Sequence, residues 1–159
     1  MDGLSVESMT TETWARRRRR ARQLAERHTF AGELLRLYEA LLDVQEPAFL
    51  KARDDRPEPG RLAAYAAGRI LGEVAAATIT AGPPALAAAV RDRLRDARPD
   101  EFVNRWLAGE RQDAVDEYLA RAAAGPVLEA LGPAAGDACS RGRAEGGCPA
   151  AAACRSSRT

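Results

Sequence analysis

Between Phe30 and Phe49 the large apolar residues recur at steps of three and four: Phe30, Leu34, Leu37, Tyr38, Leu41, Leu42 and Phe49. That spacing follows the 3.6-residue helical turn and gives a helix one broad apolar face, which must find a partner surface. Burying Phe30, Leu34, Leu37, Tyr38 and Leu41 contributes roughly 1.5–3 kcal/mol each before entropy is counted. Hydrophobic residues make up 46% of the 159-residue chain but aromatics only 5%, so most of the apolar content is alanine and leucine. Such residues favour close-packed helices over sheets, which draw on β-branched and aromatic side chains. The length suits one domain with a core of its own.

The same reading extends along the chain. Residues 1–10 are polar and aperiodic, which predicts a loose terminus. A helical domain over 11–131 follows. Thr11 or Thr13 can cap its first helix, with Trp14 at the start and Ala21, Leu24, Ala25 and His28 at helical spacing. Thr29 can cap the second, and Pro47 is expected to end or kink it. Residues 54–60 (DDRPEPG) read as a linker. A third helix over about 61–80 turns Leu62, Tyr65, Ala66, Ile70, Val74 and Ala77 inward. Gly82-Pro83-Pro84 starts a fourth, with Leu86, Val90 and Leu94 facing the core. Pro99-Asp100 opens a short fifth holding Phe102, Val103, Trp106 and Leu107. A sixth over about 112–131 carries Val115, Tyr118, Leu119, Val127, Leu128 and Leu131, with a kink expected at Gly125-Pro126. The fold class is all-α, a bundle of about six helices. Residues 132–159 contain no leucine, isoleucine, valine or aromatic. Too little apolar area is available there to offset the entropy of ordering, so a disordered Ala/Gly/Arg-rich tail is expected.

Residues able to carry chemistry are few. His28 is the only histidine, and its place at a helix end suits contact with the last carbonyls. No Ser/His/Asp arrangement, glycine-rich phosphate loop or carboxylate-rich metal spacing is present, so a non-enzymatic protein without a cofactor is expected. Glu33, Glu39 and Asp43 read as a solvated helix face. Residues 16–20 are five consecutive arginines. On a helix they spread around every side, with Glu12, Glu26, Glu33 and Glu39 near enough to offset part of the charge. A solvated helix end competes with a docking patch for an acidic partner or nucleic acid. The net charge of +1, with 30% charged residues, argues against a polyanion binder. Cys139, Cys148 and Cys154 lack the spacing of two to four residues that lets one turn present paired thiolates to zinc. No run approaches the roughly 18 consecutive apolar residues that cross a bilayer. The segment after the arginines is charged where an export signal is apolar, so a cytoplasmic location is expected.

One pattern points to a family. The run R-A-R-x-L-A-x-x-H-x-F-A-x-E-L-L-x-L-Y-x-A-L-L-D-x-Q, from Arg20 to Gln45, resembles the formate dehydrogenase accessory proteins. Gly82-Pro83-Pro84-Ala85-Leu86, Trp106-Leu107-Ala108-Gly109, the run EYLARA beginning at Glu117, and Pro126 are similar to later parts of that family's helical N-terminal domain. The resemblance implies a cytoplasmic maturation factor, or chaperone, that binds the catalytic subunit of formate dehydrogenase before export. It also implies metal-binding rubredoxin-like modules with paired C-x-x-C motifs. Here Cys139 stands where the first C-x-x-C begins, but Gly142 replaces its second cysteine, and no later C-x-x-C follows. Truncation before the metal modules is therefore expected, through a frameshift near Arg141, and Cys139 is at most a remnant of a lost metal site.

The expected function is thus an accessory or assembly factor for formate dehydrogenase. His28, Phe30, Glu33, Tyr38 and Gln45 match the motif and are the candidate partner-binding residues, together with Arg16, Arg17 and Arg20 from the basic block. Phe30 and Tyr38 share the leucine stripe, so a core role competes with docking for both. The alternative is a helical regulatory or nucleic-acid-binding module using residues 16–20.

Overall fold

Helix formers, proline starts and glycine stops divide the chain into helices with no strand among the described residues, which are 3–96 and 98–133 of the computed structural model. In order they are α1 (Gly3–Arg27), a 3-10 turn (Thr29–Ala31), α2 (Gly32–Asp55), a second 3-10 turn (Pro59–Arg61), α3 (Leu62–Arg69), α4 (Leu71–Ala81), α5 (Pro84–Asp96), α6 (Pro99–Leu107) and α7 (Ala114–Leu131). The all-α reading holds. Taking α3 and α4 as one helix interrupted at Ile70 gives six. Most of the tail expected to be disordered, residues 134–159 with all three cysteines, lies outside the described residues.

α2 is the central element. It packs most extensively on α7, then on α4 and α1. The main core joins Leu37, Leu41 and Ala52 of α2 to Ile70, Val74, Phe102, Trp106, Leu119 and Val127. Alanines 63, 66, 75, 120, 122, 123 and 124 fill the seams of this core, and their small side chains let helices approach closely. Pro84 and Pro99 open α5 and α6, where the missing N–H has no helical partner to lose. At Gly82 an added Cβ would meet the Thr78 carbonyl oxygen at 2.5 Å, so the stop before the two prolines requires glycine. Gly132, at φ 54° and ψ −129°, takes a positive-φ stop after α7 that favours glycine.

Several local expectations are corrected. α1 starts at Gly3, so residues 3–10 are helical where an aperiodic terminus was expected. Their sequence has no proline or interior glycine to stop a helix propagating back from the buried Trp14. Thr13 lies inside α1 and donates its hydroxyl to the Met9 carbonyl at 2.9 Å, a back-bond that accommodates threonine in a helix. Thr29 does not cap α2. Backbone bonds of the 3-10 turn, Ala31 N–H to the His28 carbonyl and Gly32 N–H to Thr29, make that connection. α2 runs through Pro47, which is exposed, so the carbonyl it orphans stays within reach of water. α7 likewise continues through Pro126. The break falls instead at Ile70, whose φ of −118° separates α3 from α4. By length and composition alone, the span Pro59–Ala81 could cross a membrane. Here it supplies Leu62, Ala66, Ile70, Val74 and the buried Thr78 to the bundle interior.

An ion pair with a buried carboxylate crosses the core boundary. Asp116, in the first turn of α7, is 3% exposed. Arg93 on α5 donates to both its oxygens, from Nε at 2.6 Å and Nη2 at 2.8 Å. The guanidinium carbon also lies 5.6 Å from the Phe102 ring centroid, tying α6 to the same point. The two partners are unequal, since Arg93 retains contact with water and Asp116 does not. Arg93→Met, which keeps the stem over Phe102 but strands the carboxylate, is expected to cost about 3–5 kcal/mol. Asp116→Asn should cost clearly less in the same urea-unfolding experiment. Equal losses would refute the idea that stranding the buried carboxylate dominates.

Candidate functional site

The motif-bearing residues occupy the antiparallel hairpin of α1 and α2. As numbering rises along α1, its partners on α2 fall: Trp14 meets Phe49, Arg18 meets Glu46 and Asp43, and Arg22 approaches Glu39. Trp14 is 2% exposed, with its ring centroid 5.9 Å from that of Phe49 and the Arg17 guanidinium 4.5 Å above it. Trp14, Ala21 and Leu42 are buried but stand apart from the main core cluster, so α1 is held on its own smaller apolar seam.

The arginine block divides by position around α1. Arg17 donates to both oxygens of Glu129 on α7, at 2.7 and 3.3 Å. Arg18 forks between Asp43, at 3.0 Å, and Glu46. Arg16 is exposed and reaches Glu12 one turn back at 3.6 Å, while Arg19 and Arg20 are exposed. Two members of the block therefore fasten α1 to the bundle, which its sequence reading as a solvated end or docking patch did not anticipate.

Gln45, expected at a partner surface, turns inward. Its Nε2 donates to the Ala122 carbonyl of α7 at 3.0 Å. That carbonyl lies four residues before Pro126 in the same helix, the position whose backbone donor proline removes. The amide of one helix thus replaces the hydrogen bond missing from the other. Both residues were visible in the sequence, but only their juxtaposition reveals the link.

The remaining candidates are exposed. His28 closes α1 with its N–H on the Leu24 carbonyl at 2.9 Å and its side chain outward, and Glu33 lies exposed in the first turn of α2. The Phe30 side chain lies outside the described residues. The sequence stripe placed Leu34 and Tyr38 in a buried face, yet Leu34 is 60% and Tyr38 41% exposed. The line 34, 38, 41, 45, 48, 52 along α2 is covered by the bundle only from Leu41 onward. Helical periodicity defines the face, but not how far along it a partner reaches.

A groove of about 350 Å³ lies between α2 and the α3–α4 helix, with Val44, Ala48, Tyr65, Arg69 and Ile70 in its walls. At its edge Lys51 donates to Asp55 Oδ1 at 2.6 Å, and the Tyr65 hydroxyl donates to Oδ2 at 2.9 Å. The Lys51 bond, then that of Tyr65, holds the Asp55 carboxyl below the usual range. Burial, reinforced by the bond to Asp55, pushes the Tyr65 hydroxyl up to about 12. Among the described residues no group of three or more His, Cys, Asp or Glu could hold a metal ion. No family model, curated protein or solved structure matches the chain.

Two predictions follow the geometry. Gln45→Leu should cost about 1–3 kcal/mol by stranding the Ala122 carbonyl. Pro126→Ala restores that carbonyl's own helical donor, so in its background the same Gln45 change should cost clearly less in a double-mutant cycle. Additive costs would show that the two residues act independently. The Tyr65 hydroxyl titrates above its usual 10.0, so its neutral form contributes stability that is complete below that pH and lost as pH rises through about 12. Ultraviolet titration should find late tyrosinate absorbance that falls by one tyrosine's amplitude in Tyr65→Phe, Tyr118 remaining, and whose Tyr65 component moves to lower pH in Asp55→Asn. A late step unmoved by Asp55→Asn would remove the carboxylate from the cause.

Proposed function

We propose that this chain is an accessory factor that binds the catalytic subunit of a formate dehydrogenase during its maturation in the cytoplasm. It acts as a binding protein and not an enzyme, and its docking needs no cofactor. The observation that supports this reading is the bare pair Leu34 and Tyr38. They stand one turn apart on one face of α2, inside the segment that resembles the accessory family, with the exposed Glu33 and His28 at the same end. Adjacent exposed large apolar side chains are a feature of protein-binding surfaces. Of the other candidates, Gln45 is engaged on the Ala122 carbonyl and Arg17 on Glu129. The nucleic-acid alternative has less on its side, since Arg16, Arg17 and Arg18 each face a carboxylate already.

The test is co-purification of the tagged chain with the catalytic subunit from cells making formate dehydrogenase. The double variant Leu34→Asp, Tyr38→Asp should lose the subunit while melting within about 0.5 kcal/mol of the parent, because exposed positions carry little folding energy. Failure of the parent chain to retain the subunit would overturn the reading. Retention by the folded double variant would move the docking surface elsewhere.

A further inference from the structure

The groove between α2 and the α3–α4 helix has a property that the hairpin's proposed docking role does not use. Its apolar wall is made by Val44 and Ala48 on one side and the buried Ile70 on the other. Arg69, the last residue of α3, stands at its mouth with its guanidinium carbon 5.4 Å from the Tyr65 ring centroid. Stacking fixes the face of a guanidinium and leaves its N–H edge available to an acceptor. No hydrogen bond or ion pair engages that edge among the described residues. The neighbouring cation, Lys51, is already neutralised by Asp55. Glu73 lies four residues after Arg69, a spacing that pairs charges on a regular helix, but Ile70 interrupts this one and the two do not meet within ion-pair distance.

We propose that this groove is a binding site for a small amphipathic carboxylate, its head on Arg69 and its aliphatic body along Val44, Ala48 and Ile70. The volume of about 350 Å³ falls within the range of small-molecule sites. A single charge is specified by the surroundings. One guanidinium edge can take a carboxylate in a bidentate bond, whereas Glu73 in the groove wall would repel the second charge of a phosphate monoester. A cationic head has only Glu73 to meet it and is repelled by Arg69.

The experiment is calorimetric titration of the full chain with octanoate, octylamine, octanol and octyl phosphate. Octanoate should bind saturably, one per chain, in the high-micromolar to millimolar range, and more tightly than the other three. Arg69→Gln, at an exposed position that leaves the melting transition in place, should weaken octanoate about tenfold while leaving octanol unchanged. Ala48→Phe, which fills the groove, should abolish binding, and Val44→Phe provides the same test if that variant fails to fold. Absence of saturation by octanoate overturns the proposal. So does octylamine or octyl phosphate binding as well as octanoate, or an Arg69→Gln variant that keeps full affinity. The site rests on no part of the α1–α2 docking reading, so either can fail alone.

Discussion

The bond from the Gln45 amide to the Ala122 carbonyl sits at the seam on which the bundle is built. α2 and α7 make the most extensive helix pair, and each carries a proline inside it. The two prolines are not equivalent. Pro47 faces water, where the orphaned carbonyl finds a solvent donor. Pro126 is buried, and a carbonyl left unpaired beside it would cost about 1–3 kcal/mol. Gln45 supplies that donor from across the seam, and in doing so fixes the axial register of α2 against α7. Arg17 then ties α1 to Glu129 farther along α7, so the hairpin inherits the register that Gln45 sets.

Electrostatics divides along the same line between inside and outside. The pairs of α1 range from the exposed Arg16–Glu12 to the half-buried Arg18–Glu46, and pairs still in contact with water contribute roughly 0–1 kcal/mol each. They fasten the helix weakly, and the buried Trp14 provides the main anchor. Arg93 and Asp116 are the opposite case. The carboxylate is withdrawn from water, so it depends on the arginine far more than the arginine depends on it. Tyr118 shows the neutral version of this arrangement. Thr78 spends its own proton on the Val74 carbonyl at 2.7 Å, so the Tyr118 hydroxyl donates to Thr78 at 2.6 Å. Burial pushes the Tyr118 hydroxyl up, keeping the proton that this bond requires.

The helices were legible because proline starts, glycine stops and alanine-rich faces are local signals. Phe102, Val103, Trp106, Leu119 and Val127 all fall where their spacing placed them. What was not legible depends on distant partners. Nothing around Trp14 reveals that it is buried, because the surface receiving it includes Phe49 on another helix. Asp116 reads as a surface acid in its own turn until Arg93, on α5, is brought against it. Gly68 and Gly72 flank the break at Ile70, but each lies inside a helix, so neither marks where the break falls. At the hairpin, the motif could not be sorted into inward and outward members by spacing alone: Gln45 and Tyr38 lie on the same line of α2, and only the reach of α7 separates them.

That line also limits how the exposed end can function. Burying Leu34 and Tyr38 against a partner gives roughly 1.5–3 kcal/mol each, a gross sum comparable to the roughly 4 kcal/mol of a millimolar complex. Association itself costs several kcal/mol in lost translation and rotation. Two side chains therefore cannot hold a stable complex, and a docking face centred on them must extend across neighbouring surface. The turn holding residues 28–33 is contiguous with them in the chain and brings exposed polar groups at His28 and Glu33. An apolar centre with a polar margin is the general anatomy of a protein interface. On α2 the margin of such a face would lie toward the turn, because in the other direction the stripe passes beneath the bundle at Leu41.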